Sequence, residues 1–429
     1  MPEFQLKLGD SAVSLAVEGA ARADVLRERQ VPPIADIPAA LEKAFEHPIS
    51  ASPLARLIGP ADEVTLVISD VTRAWMHQDL ITEQTIRYLH EKIGLPFENI
   101  VVLVALGTHR PQTAEEMVRT ASRYAVDHVR LVNHDSRCPG LPLVGMTGRG
   151  TPVRINPLVM NRKTILIGGT VHHLLAGYGG GRKSILPGVS GWETIQKNHS
   201  YALDPVLPRS NEAVGLGKTE GNPVHEDMLE AVRMVRPVFS INLVVSGSGQ
   251  YLGILCGDRE KAWEASCRLV DQVFGAEIPA AYDMVIASAG GYPKDINLYQ
   301  GSKTLINAMQ AVKPGGEVIF LAECREGGGP PEFFDWIAPQ QEGRLDRALR
   351  DGFTIAGYIF YAICEMAGKA HISMLTSLNP AQAAAMNISA FSSLDELQRS
   401  LRFSGKRVLV LPNGGGVVPR IQPKNSERP

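Results

Sequence analysis

The chain has 429 residues, more than one hydrophobic core usually serves, so two domains are expected. Hydrophobic residues make up 44% and charged residues 21% of the sequence, which is typical of a globular protein. The formal net charge of -2 gives no electrostatic reason to expect nucleic acid or an anionic membrane as a partner.

The N-terminal residues predict a β-hairpin, because the runs QLKL and AVSLAV flank Gly9 and Asp10. Their sequence lacks the charged-then-apolar pattern of a secretion signal, and no apolar run approaches the length of a membrane span. Five cysteines are scattered without CxxC spacing, which indicates free buried thiols and no zinc site. These features predict a cytoplasmic protein, with neither a membrane nor a nucleic acid among its partners.

Apolar strands then alternate with helical stretches through the first half of the chain. A helix is predicted near 79–94, and Thr113 with Glu116 forms a capping box that starts another. Apolar strands with helices between them predict a parallel sheet covered on both faces. The predicted strands are EVTLVI (63–68), NIVVLVAL (99–106), VRLVNH (129–134) and KTILIG (163–168).

A second series of strands and helices follows a predicted local hairpin at 241–257. It consists of a strand at 283–291, a helix from about Asp295 and a strand at 316–324. The pattern predicts an α/β fold of two domains, each a largely parallel sheet with flanking helices. The active site is expected in the cleft between the two domains.

The domain boundary is predicted after the helical run DREKAWEASCRLVDQVFG. Residues 1–272 are expected to form an N-terminal cofactor-binding domain, and 273–407 a second domain that closes the cleft. The last strand, in the segment 408–425, is expected to rejoin the first domain.

Polar residues gather where the predicted strands end, and ligands of open α/β sheets bind at those ends. Each of these residues alone has a structural interpretation: Asp70 as a helix cap, Arg73 as a surface ion pair, and one of two adjacent histidines as a packing residue. Several strand ends carrying such residues together favour an enzyme. The residues are Asp70, Arg73, His109, His172 and His173 in the first domain, and Tyr299, Gln300 and Lys303 in the second.

A glycine-rich stretch, GYGGGRKS at 177–184, raises the question of phosphate binding. It does not match the P-loop, because Arg182 stands where the second glycine is required and six residues separate the stretch from its strand. Its backbone N–H groups could still cradle a phosphate. A nucleotide-dependent transferase therefore remains an alternative to the enzyme proposed below, as does a non-catalytic sensor of small anions.

Two helix starts follow the glycine-rich stretch. Ser190 and Glu193 predict a capping box, and His199 lies near the end of the helix that it starts. Asn222 predicts another N-cap, with Pro223 in the first turn.

Six motifs, taken together, resemble the lactate racemase family, which uses a nickel-pincer nucleotide. They occur in the family's order over roughly residues 60–305. The motifs are D-V-T-R (70–73), G-T-H-R-P (107–111), H-H…A-G-x-G-G-G-R-K-x-I-L-P-G (172–188), N-H (198–199), G-N-P-V-H-E-D (221–227) and G-Y-P-x-D…L-Y-Q-x-x-K (291–303).

The resemblance implies a cofactor, the nickel pyridinium-3-thioamide-5-thiocarboxylic acid mononucleotide, made by separate biosynthetic enzymes. It implies that Lys183 forms a thioamide link to the cofactor and that His199 completes the coordination of nickel. The remaining residues assigned to the cofactor are Asp70, Gly179, Gly180 and Gly181.

The resemblance also implies the residues of catalysis and of substrate binding. His109 and His173 match the family's two catalytic acid/bases. The group around the carboxylate and hydroxyl of the substrate is Arg73, Tyr299, Gln300 and Lys303. One departure concerns the wall of the substrate pocket: Ala74 follows Arg73 where the family commonly has proline.

The expected reaction is racemisation or epimerisation of a small, lactate-like 2-hydroxy acid. The Cα–H bond of such an acid is very weakly acidic because a carboxylate flanks it, which disfavours a carbanion. The resemblance implies proton-coupled hydride transfer to and from the cofactor through a 2-keto acid instead. A neutral imidazole, with an ordinary pKa of about 6.5, suits removal and return of the hydroxyl proton. Attack on two faces requires two bases, which explains the need for both His109 and His173. The sequence leaves an oligomer open.

Overall fold

The computed structural model of the protein describes residues 2–422. The chain divides into two compact units. Unit 1 consists of the residues up to Gln30, a short segment Val206–Ser210 and the residues from Gln272 onward. Unit 2 consists of Val31–Pro205 and Asn211–Asp271.

The strands of the described residues are, in chain order, β1 (Glu3–Leu8), β2 (Ser11–Ala16), β3 (Arg22–Val25), β4 (Val64–Ser69), β5 (Ile100–Ala105), β6 (Arg130–Asn133), β7 (Leu143–Met146), β8 (Pro152–Arg154), β9 (Lys163–Gly169), β10 (His172–His173), β11 (Gly177–Tyr178), β12 (Phe239–Val245), β13 (Tyr251–Gly257), β14 (Gly275–Ile278), β15 (Tyr282–Ser288), β16 (Val312–Leu321), β17 (His371–Leu375), β18 (Ile388–Phe391), β19 (Arg407–Leu411) and β20 (Val418–Ile421).

The helices are α1 (Ile37–Glu46), α2 (Leu54–Leu57), α3 (Gln78–Arg87), α4 (Ala114–Ala121), α5 (Arg123–His128), α6 (Trp192–Ser200), α7 (Pro223–Val235), α8 (Lys261–Phe274), α9 (Leu298–Met309), α10 (Ile337–Gln341), α11 (Leu345–Asp351), α12 (Ile355–Lys369), α13 (Pro380–Ala384) and α14 (Leu394–Ser400). Two 3₁₀ turns, at Val71–Met76 and Gly181–Ser184, carry site residues.

Unit 2 is built on a six-stranded sheet with the order β13-β12-β9-β4-β5-β6. All neighbours are parallel except β12 and β13, which pair antiparallel as the hairpin predicted at 241–257. Successive side chains of a strand point to opposite faces, so Leu66 joins one core and Val67 another. Both faces of the sheet are therefore covered, as the apolar strands predicted.

Unit 1 is built on a second six-stranded sheet, fully parallel, with the order β18-β17-β16-β15-β19-β3. The N-terminal hairpin of β1 and β2 turns at Gly9 and Asp10, as predicted. Its Leu6 and Leu15 are buried in the same core as Met284 of β15. The α/β class, with parallel-dominated sheets and flanking helices, is thus confirmed.

The end of the chain does not return to the first domain, and that expectation was wrong. Strand β19 lies between β15 and β3 in the sheet of unit 1, and β20 pairs with β14. The N-terminal segment also belongs to unit 1. An apolar strand such as RVLVL can complete any parallel sheet, and here the open edge of β15 determines its place. Residues 423–425 of the predicted segment lie outside the described residues.

Of the two predicted capping boxes, one forms and one does not. At Thr113 and Glu116 both reciprocal hydrogen bonds are present. At the start of α6 the cap is Gly191, without a side-chain bond, because the Ser190 hydroxyl donates instead to the Ile185 carbonyl at 2.8 Å.

Two further expectations concern the thiols and the membrane. The five cysteines are free, but Cys138 is exposed whereas the other four are buried. Across residues 2–422, every helix is too short or too polar to cross a bilayer.

Candidate active site

The candidate residues of unit 2 follow three adjacent strands. In the order β9-β4-β5, the neighbouring strands run parallel, so their carboxyl ends lie at one edge of the sheet. Asp70 follows β4, His109 follows β5, and His173 follows β9. The sequence distance between these residues is large, and the sheet brings their segments together.

Asp70 and His109 form a hydrogen-bonded carboxylate–imidazole pair. Asp70 is buried, and its Oδ2 contacts Nδ1 of His109. Burial raises the pKa of Asp70, but the hydrogen bonds from His109 and Thr72 outweigh it and bring the pKa below its usual value. The ionised carboxylate accepts from Nδ1–H, which leaves Nε2 of the half-exposed His109 ring with a bare lone pair.

The other oxygen of Asp70 positions Arg73. Oδ1 accepts from the backbone N–H of Thr72 at 3.1 Å and caps the 3₁₀ turn Val71–Met76. The Arg73 guanidinium bonds Oγ1 of Thr72 at 3.1 Å. Ala74 lies within this turn, and the Trp75 side chain after it is 44% exposed. One buried carboxylate therefore fixes both the base and the arginine assigned to the substrate.

The adjacent histidines His172 and His173 point to different partners. Nε2 of His172 lies 2.9 Å from Asp271, whose carboxylate also accepts from the Tyr178 hydroxyl at 2.8 Å. His173 instead faces Lys183, with Nε2 and Nζ 2.7 Å apart. His172 is therefore a packing residue, as one of the pair was expected to be.

The other ring nitrogen of His173 is held by the backbone. Nδ1 accepts from the N–H groups of Leu175 at 3.1 Å and Ala176 at 3.2 Å. Burial lowers the pKa of His173 well below its ordinary value, and the cationic side chains around the ring lower it further. His173 is thus a neutral imidazole whose orientation is fixed.

His199 is suited to bind a metal through one nitrogen. It is buried on α6, and its Nδ1–H donates to the Ile195 carbonyl at 2.9 Å, so Nε2 carries the lone pair. Burial lowers its pKa to about 3, which keeps the lone pair free of a proton. Residues 2–422 contain no cluster of three or more metal-binding side chains.

Arg182 is buried and explains the departure from the P-loop pattern. Its guanidinium stacks on Trp263 at 3.9 Å from the ring centroid, and its Nε donates to Nδ1 of His225 at 2.9 Å. It also donates to the carbonyls of Ala176 and Gly179. Burial lowers the pKa of Arg182 to about 9 and that of His225 to about 3. Arg182 therefore anchors the glycine-rich stretch by hydrogen bonds to backbone carbonyls and by packing on Trp263.

The glycines of this stretch are required by packing. Gly180 and Gly181 have φ of 70° and 51°, and a Cβ would lie 2.8 Å from the Thr170 hydroxyl or from the Trp263 ring, respectively. The N–H groups of Tyr178, Gly179 and Lys183 already donate to backbone carbonyls. This argues against a phosphate cradle of the P-loop type.

The residues assigned to the substrate in unit 1 lie at the start of α9. Asn297 caps the helix by accepting from the N–H of Gln300 at 2.9 Å. Lys303 donates from Nζ to Oε1 of Gln300 at 2.6 Å, and Tyr299 precedes Gln300. An ammonium, an amide and a phenol therefore occupy the first two turns of one helix.

Two residues that support the site, Trp263 and Asp271, were not singled out by the sequence, and Asn222 was predicted only as a helix cap. Trp263 donates to the Gly179 carbonyl at 2.8 Å across 84 positions of sequence. Asn222 donates to the Leu175 carbonyl at 2.9 Å in addition to its predicted capping role. Sequence spacing carries no signal for contacts between segments so far apart.

The charges around His173 give the site its ligand preference. The side chains acting on this ring are Lys183, His199, Arg73 and Arg182. The guanidinium groups of Arg73 and Arg182 are positively charged, so their field favours an anion such as a carboxylate or a phosphate. Two imidazoles with fixed ring nitrogens can exchange protons with such a ligand.

Comparisons with known proteins match this chain over both units. Residues 8–208 match the family described as lactate racemase N-terminal domain, and residues 278–418 match the lactate racemase C-terminal domain. The lactate racemase of Thermoanaerobacterium thermosaccharolyticum is 31% identical over 306 residues, covering 70% of this chain and 69% of that protein. The lactate racemase of Lactiplantibacillus plantarum is 29% identical over 395 residues, covering 88% and 90%.

Solved structures agree with the sequence matches. The lactate racemase apoprotein from Thermoanaerobacterium thermosaccharolyticum superposes with a TM-score of 0.84 at 26% identity, covering 98% of this chain and 100% of that one. A protein from Thermotoga maritima shares the fold, with a TM-score of 0.66 at 18% identity over 92% of this chain and 100% of that one.

Proposed function

The chain belongs to the lactate racemase family and is an isomerase, and we propose that it inverts a small, lactate-like 2-hydroxy acid by proton-coupled hydride transfer through a 2-keto acid. The observation that carries this proposal is the pair of imidazoles that follow β5 and β9, the two strands on either side of β4. His109 is oriented by a carboxylate, and His173 by two backbone N–H groups. Racemisation needs one such group for each face of the planar intermediate.

His109 and His173 exchange the hydroxyl proton. A neutral ring accepts the proton at its bare nitrogen as the Cα–H bond breaks, and the imidazolium so formed returns the proton to the oxygen when the 2-keto acid is reduced. Neutral imidazoles are suited to both steps near neutral pH. Because His173 is partly withdrawn from solvent and lies near the guanidinium groups of Arg73 and Arg182, its pKa lies well below the ordinary value and it readily gives up an added proton.

The cofactor would be held by Lys183 and His199. When bound, a nickel-pincer nucleotide supplies a site that accepts a hydride from Cα and returns it. The residues fit this group: His199 offers one bare imidazole nitrogen, and soft sulfur and carbon donors would come from the cofactor. Asp70 and the glycines 179–181 remain assigned to the cofactor by the resemblance. The contact of Asp70 with His109 adds a second role for this carboxylate.

The substrate carboxylate would be bound by cations and its hydroxyl by neutral polar groups. Arg73 offers two parallel N–H donors, which match a carboxylate. Lys303, Gln300 and Tyr299 supply an ammonium, an amide and a phenol from α9. With the carboxylate anchored, the 2-keto acid can turn its other face to the returning hydride.

The test uses cofactor-loaded protein and enantiopure L- and D-lactate in D₂O, with chiral analysis and mass spectrometry of the product. We expect both enantiomers to reach the same racemic mixture without deuterium at Cα, because the hydride is conserved in the transfer. Extensive deuterium at Cα would instead show proton abstraction by a base and contradict the hydride route. No inversion of any 2-hydroxy acid in an enantiopure panel would contradict the racemase assignment.

Variants test the roles of the two imidazoles. We expect His109→Gln and His173→Gln each to lower kcat by about 100-fold or more, the usual size of a general acid–base contribution. The matched control is His128→Gln, an exposed histidine bonded only to the Tyr124 carbonyl in the same unit. If both site variants keep the wild-type rate while the control does too, the assignment of the bases is wrong.

A further inference from the structure

The hydrogen bonds of His173 determine which of its nitrogens carries the proton. Nδ1 accepts from two backbone N–H groups, those of Leu175 and Ala176. A backbone N–H can only donate, so Nδ1 has no proton of its own. In the neutral ring the single proton must then be on Nε2. The partner of Nε2 is Lys183, whose Nζ lies 2.7 Å away.

The bond between His173 and Lys183 therefore runs from the imidazole to the amine. A protonated lysine has three N–H donors and no acceptor, so it could not receive the Nε2 proton. An uncharged amine has one lone pair and accepts it. The alternative, an ammonium donating to Nε2, would require an imidazolate ring, because Nδ1 is already an acceptor on its other side.

The surroundings of His173 keep its ring neutral. The charged and titratable groups acting on His173 come from three elements: Arg73 from the turn after β4, His199 from α6, and Arg182 and Lys183 from the glycine-rich stretch. Burial and these groups lower the pKa of His173, so the ring carries the single proton of the neutral form.

We propose that the fold holds Lys183 as an uncharged, nucleophilic amine before the cofactor is bound, with His173 donating its Nε2 proton to Nζ. The ligand that such a group takes is an acyl or thioacyl carbon at the edge of a planar anionic molecule. The proposal rests on the proposed function only for the identity of this electrophile.

Attachment is then a condensation without oxidant or reductant. The Nζ lone pair attacks the carbon of a thiocarboxylic acid, a C–N bond forms and the C–O bond breaks. The oxygen leaves as water with one proton from the amine and one from the thio acid, which leaves a thioamide. Since Nζ is an ordinary amine at the start, no base is needed to create the nucleophile.

The same bond links attachment to catalysis. The nitrogen lone pair of an amide or thioamide is delocalised into the neighbouring double bond and is a poor acceptor. Once Nζ is acylated, the Nε2–H of His173 loses this acceptor and can donate a hydrogen bond to the substrate. His173 thus serves first to hold the amine and afterwards as an acid/base.

The experiment measures acetylation of each lysine in the cofactor-free protein by N-acetoxysuccinimide at pH 7 and pH 10. Tryptic peptides are quantified by mass spectrometry against Nα-acetyl-lysine amide in the same tube. An ordinary lysine, with a pKa of about 10.4, should react roughly 700-fold faster at pH 10 than at pH 7. We expect less than about a 10-fold increase for Lys183, and the ordinary increase for the exposed, ion-paired Lys261.

Each lysine is compared with itself at two pH values, so differences in accessibility cancel. An increase at Lys183 as steep as at Lys261 would overturn the proposal. The assay uses neither cofactor nor substrate, so a failure to racemise 2-hydroxy acids would refute the proposed function and leave this result unchanged.

Matched variants of His173 and His172 distinguish the effect of the His173–Lys183 hydrogen bond from the effect of the surrounding residues. Glutamine at position 173 can turn its carbonyl oxygen toward an ammonium, so His173→Gln should restore a steep pH dependence at Lys183. His172→Gln, which alters a contact with Asp271, should leave the shallow dependence in place. The opposite pattern would overturn the role of His173.

Nitrogen-15 NMR of the wild-type ring provides a readout that does not depend on a variant folding. We expect the cofactor-free protein to show His173 protonated at Nε2 and bare at Nδ1. Protonation at Nδ1 would overturn the proposal.

Discussion

The two histidines that we propose as acid/bases differ in the hydrogen bonds that hold their rings. At His109 the carboxylate of Asp70 accepts from Nδ1, so Nε2 is bare and ready to accept a proton. At His173 the backbone donates to Nδ1, so Nε2 carries a proton and is ready to donate it. Nε2 of His109 can therefore take up the hydroxyl proton, and the imidazolium so formed can return it, whereas Nε2 of the neutral His173 ring is a hydrogen-bond donor.

The buried carboxylate of Asp70 should matter for the rate more than for substrate affinity. In Asp70→Asn the side-chain amide no longer bears the charge that stabilises a protonated His109, and its NH₂ group favours the wrong tautomer. We expect kcat to fall by about 100-fold or more with a smaller change in KM, measured in cofactor-loaded protein.

The control for this prediction is Asp127→Asn, which removes an exposed carboxylate paired with Arg123 and should leave both constants unchanged. Cofactor content is measured for each variant. If Asp70→Asn loses cofactor in proportion to its activity, the residue serves the cofactor alone, as the sequence assigned it.

The guanidinium of Arg182 should be irreplaceable by another cation. Arg182→Lys keeps a positive charge but loses the planar group that stacks on Trp263 and donates to His225 and two carbonyls. We expect the free energy of unfolding to fall by about 2–4 kcal/mol, because a buried ammonium is left with few partners. Urea unfolding of the variant measures the loss.

Arg123→Lys provides the comparison, since Arg123 is exposed and paired with Asp127 at 3.7 Å. Exposed ion pairs contribute little, so its change should stay within about 0.5 kcal/mol. Equal losses in the two variants would contradict the supporting role of Arg182.

At the scale of elements, the site depends on how α7 begins. Asn222 caps α7 by accepting from the N–H groups of Val224 and His225, and it donates to the carbonyls of Leu175 and Lys218. The same side chain thus starts a helix and anchors the segment that carries His173. Asn was predicted as the cap from its position before Pro223, but the anchoring role follows from the packing of distant segments.

Substitutions at Asn222 separate the two roles. Asn222→Ala removes the cap and both donations, and we expect a loss of about 2–3 kcal/mol in the free energy of unfolding. Asn222→Asp keeps the cap acceptor but places a carboxylate against two carbonyls. We therefore expect a lower free energy of unfolding than in wild type and a displaced segment around His173.

Thermal unfolding and the acetylation profile of Lys183 measure the two effects separately. A loss below about 0.5 kcal/mol in Asn222→Ala would contradict both roles.

The capping boxes show the limit of local signals at this scale. Thr113 and Glu116 form their reciprocal bonds, and Arg110 holds the Glu116 carboxylate with a bidentate ion pair that leaves the cap intact. Ser190 has the same spacing to Glu193, but its hydroxyl is buried and satisfied by the Ile185 carbonyl. The motif predicts a helix start in both places, and only the environment determines whether the side chain caps it.

At the scale of the whole molecule, buried neutral histidines make unfolding sensitive to acid. The pKa of His225 is lowered to about 3 by burial and by Arg182, against an ordinary value of 6.5 in the unfolded chain. Stability is therefore intact above pH 6.5 and is lost as the pH falls toward 3, because the unfolded chain binds a proton that the folded chain excludes. The slope is about 1.4 kcal/mol per pH unit for each such histidine.

His225→Gln should remove this part of the acid sensitivity. We expect the difference in the free energy of unfolding between pH 7 and pH 5 to shrink by about 2 kcal/mol relative to wild type. The control, His128→Gln, alters an exposed ring and should leave the difference unchanged. An unchanged pH dependence in His225→Gln, measured by urea unfolding, would show that this ring is charged in the folded protein.

The sequence by itself determined the elements, the α/β class and the residue types of the site. These are local properties: apolar runs define the parallel strands, and polar residues follow where each strand ends, as at Asp70 and His109. The resemblance added the family, which the comparisons confirm. Roles assigned to single residues, among them the substrate group on α9, stay predictions.

The tertiary structure alone decided three things: the sheet that β19 completes, the burial of Arg182 against Trp263, and the hydrogen-bond partners of His109 and His173. Each depends on groups far away in the chain. A strand edge accepts any apolar strand, and an imidazole carries its proton on whichever nitrogen its neighbours leave for a donor. Composition and residue spacing predict neither the sheet that a strand joins nor the protonated nitrogen of a histidine, because residues far away in the chain determine both.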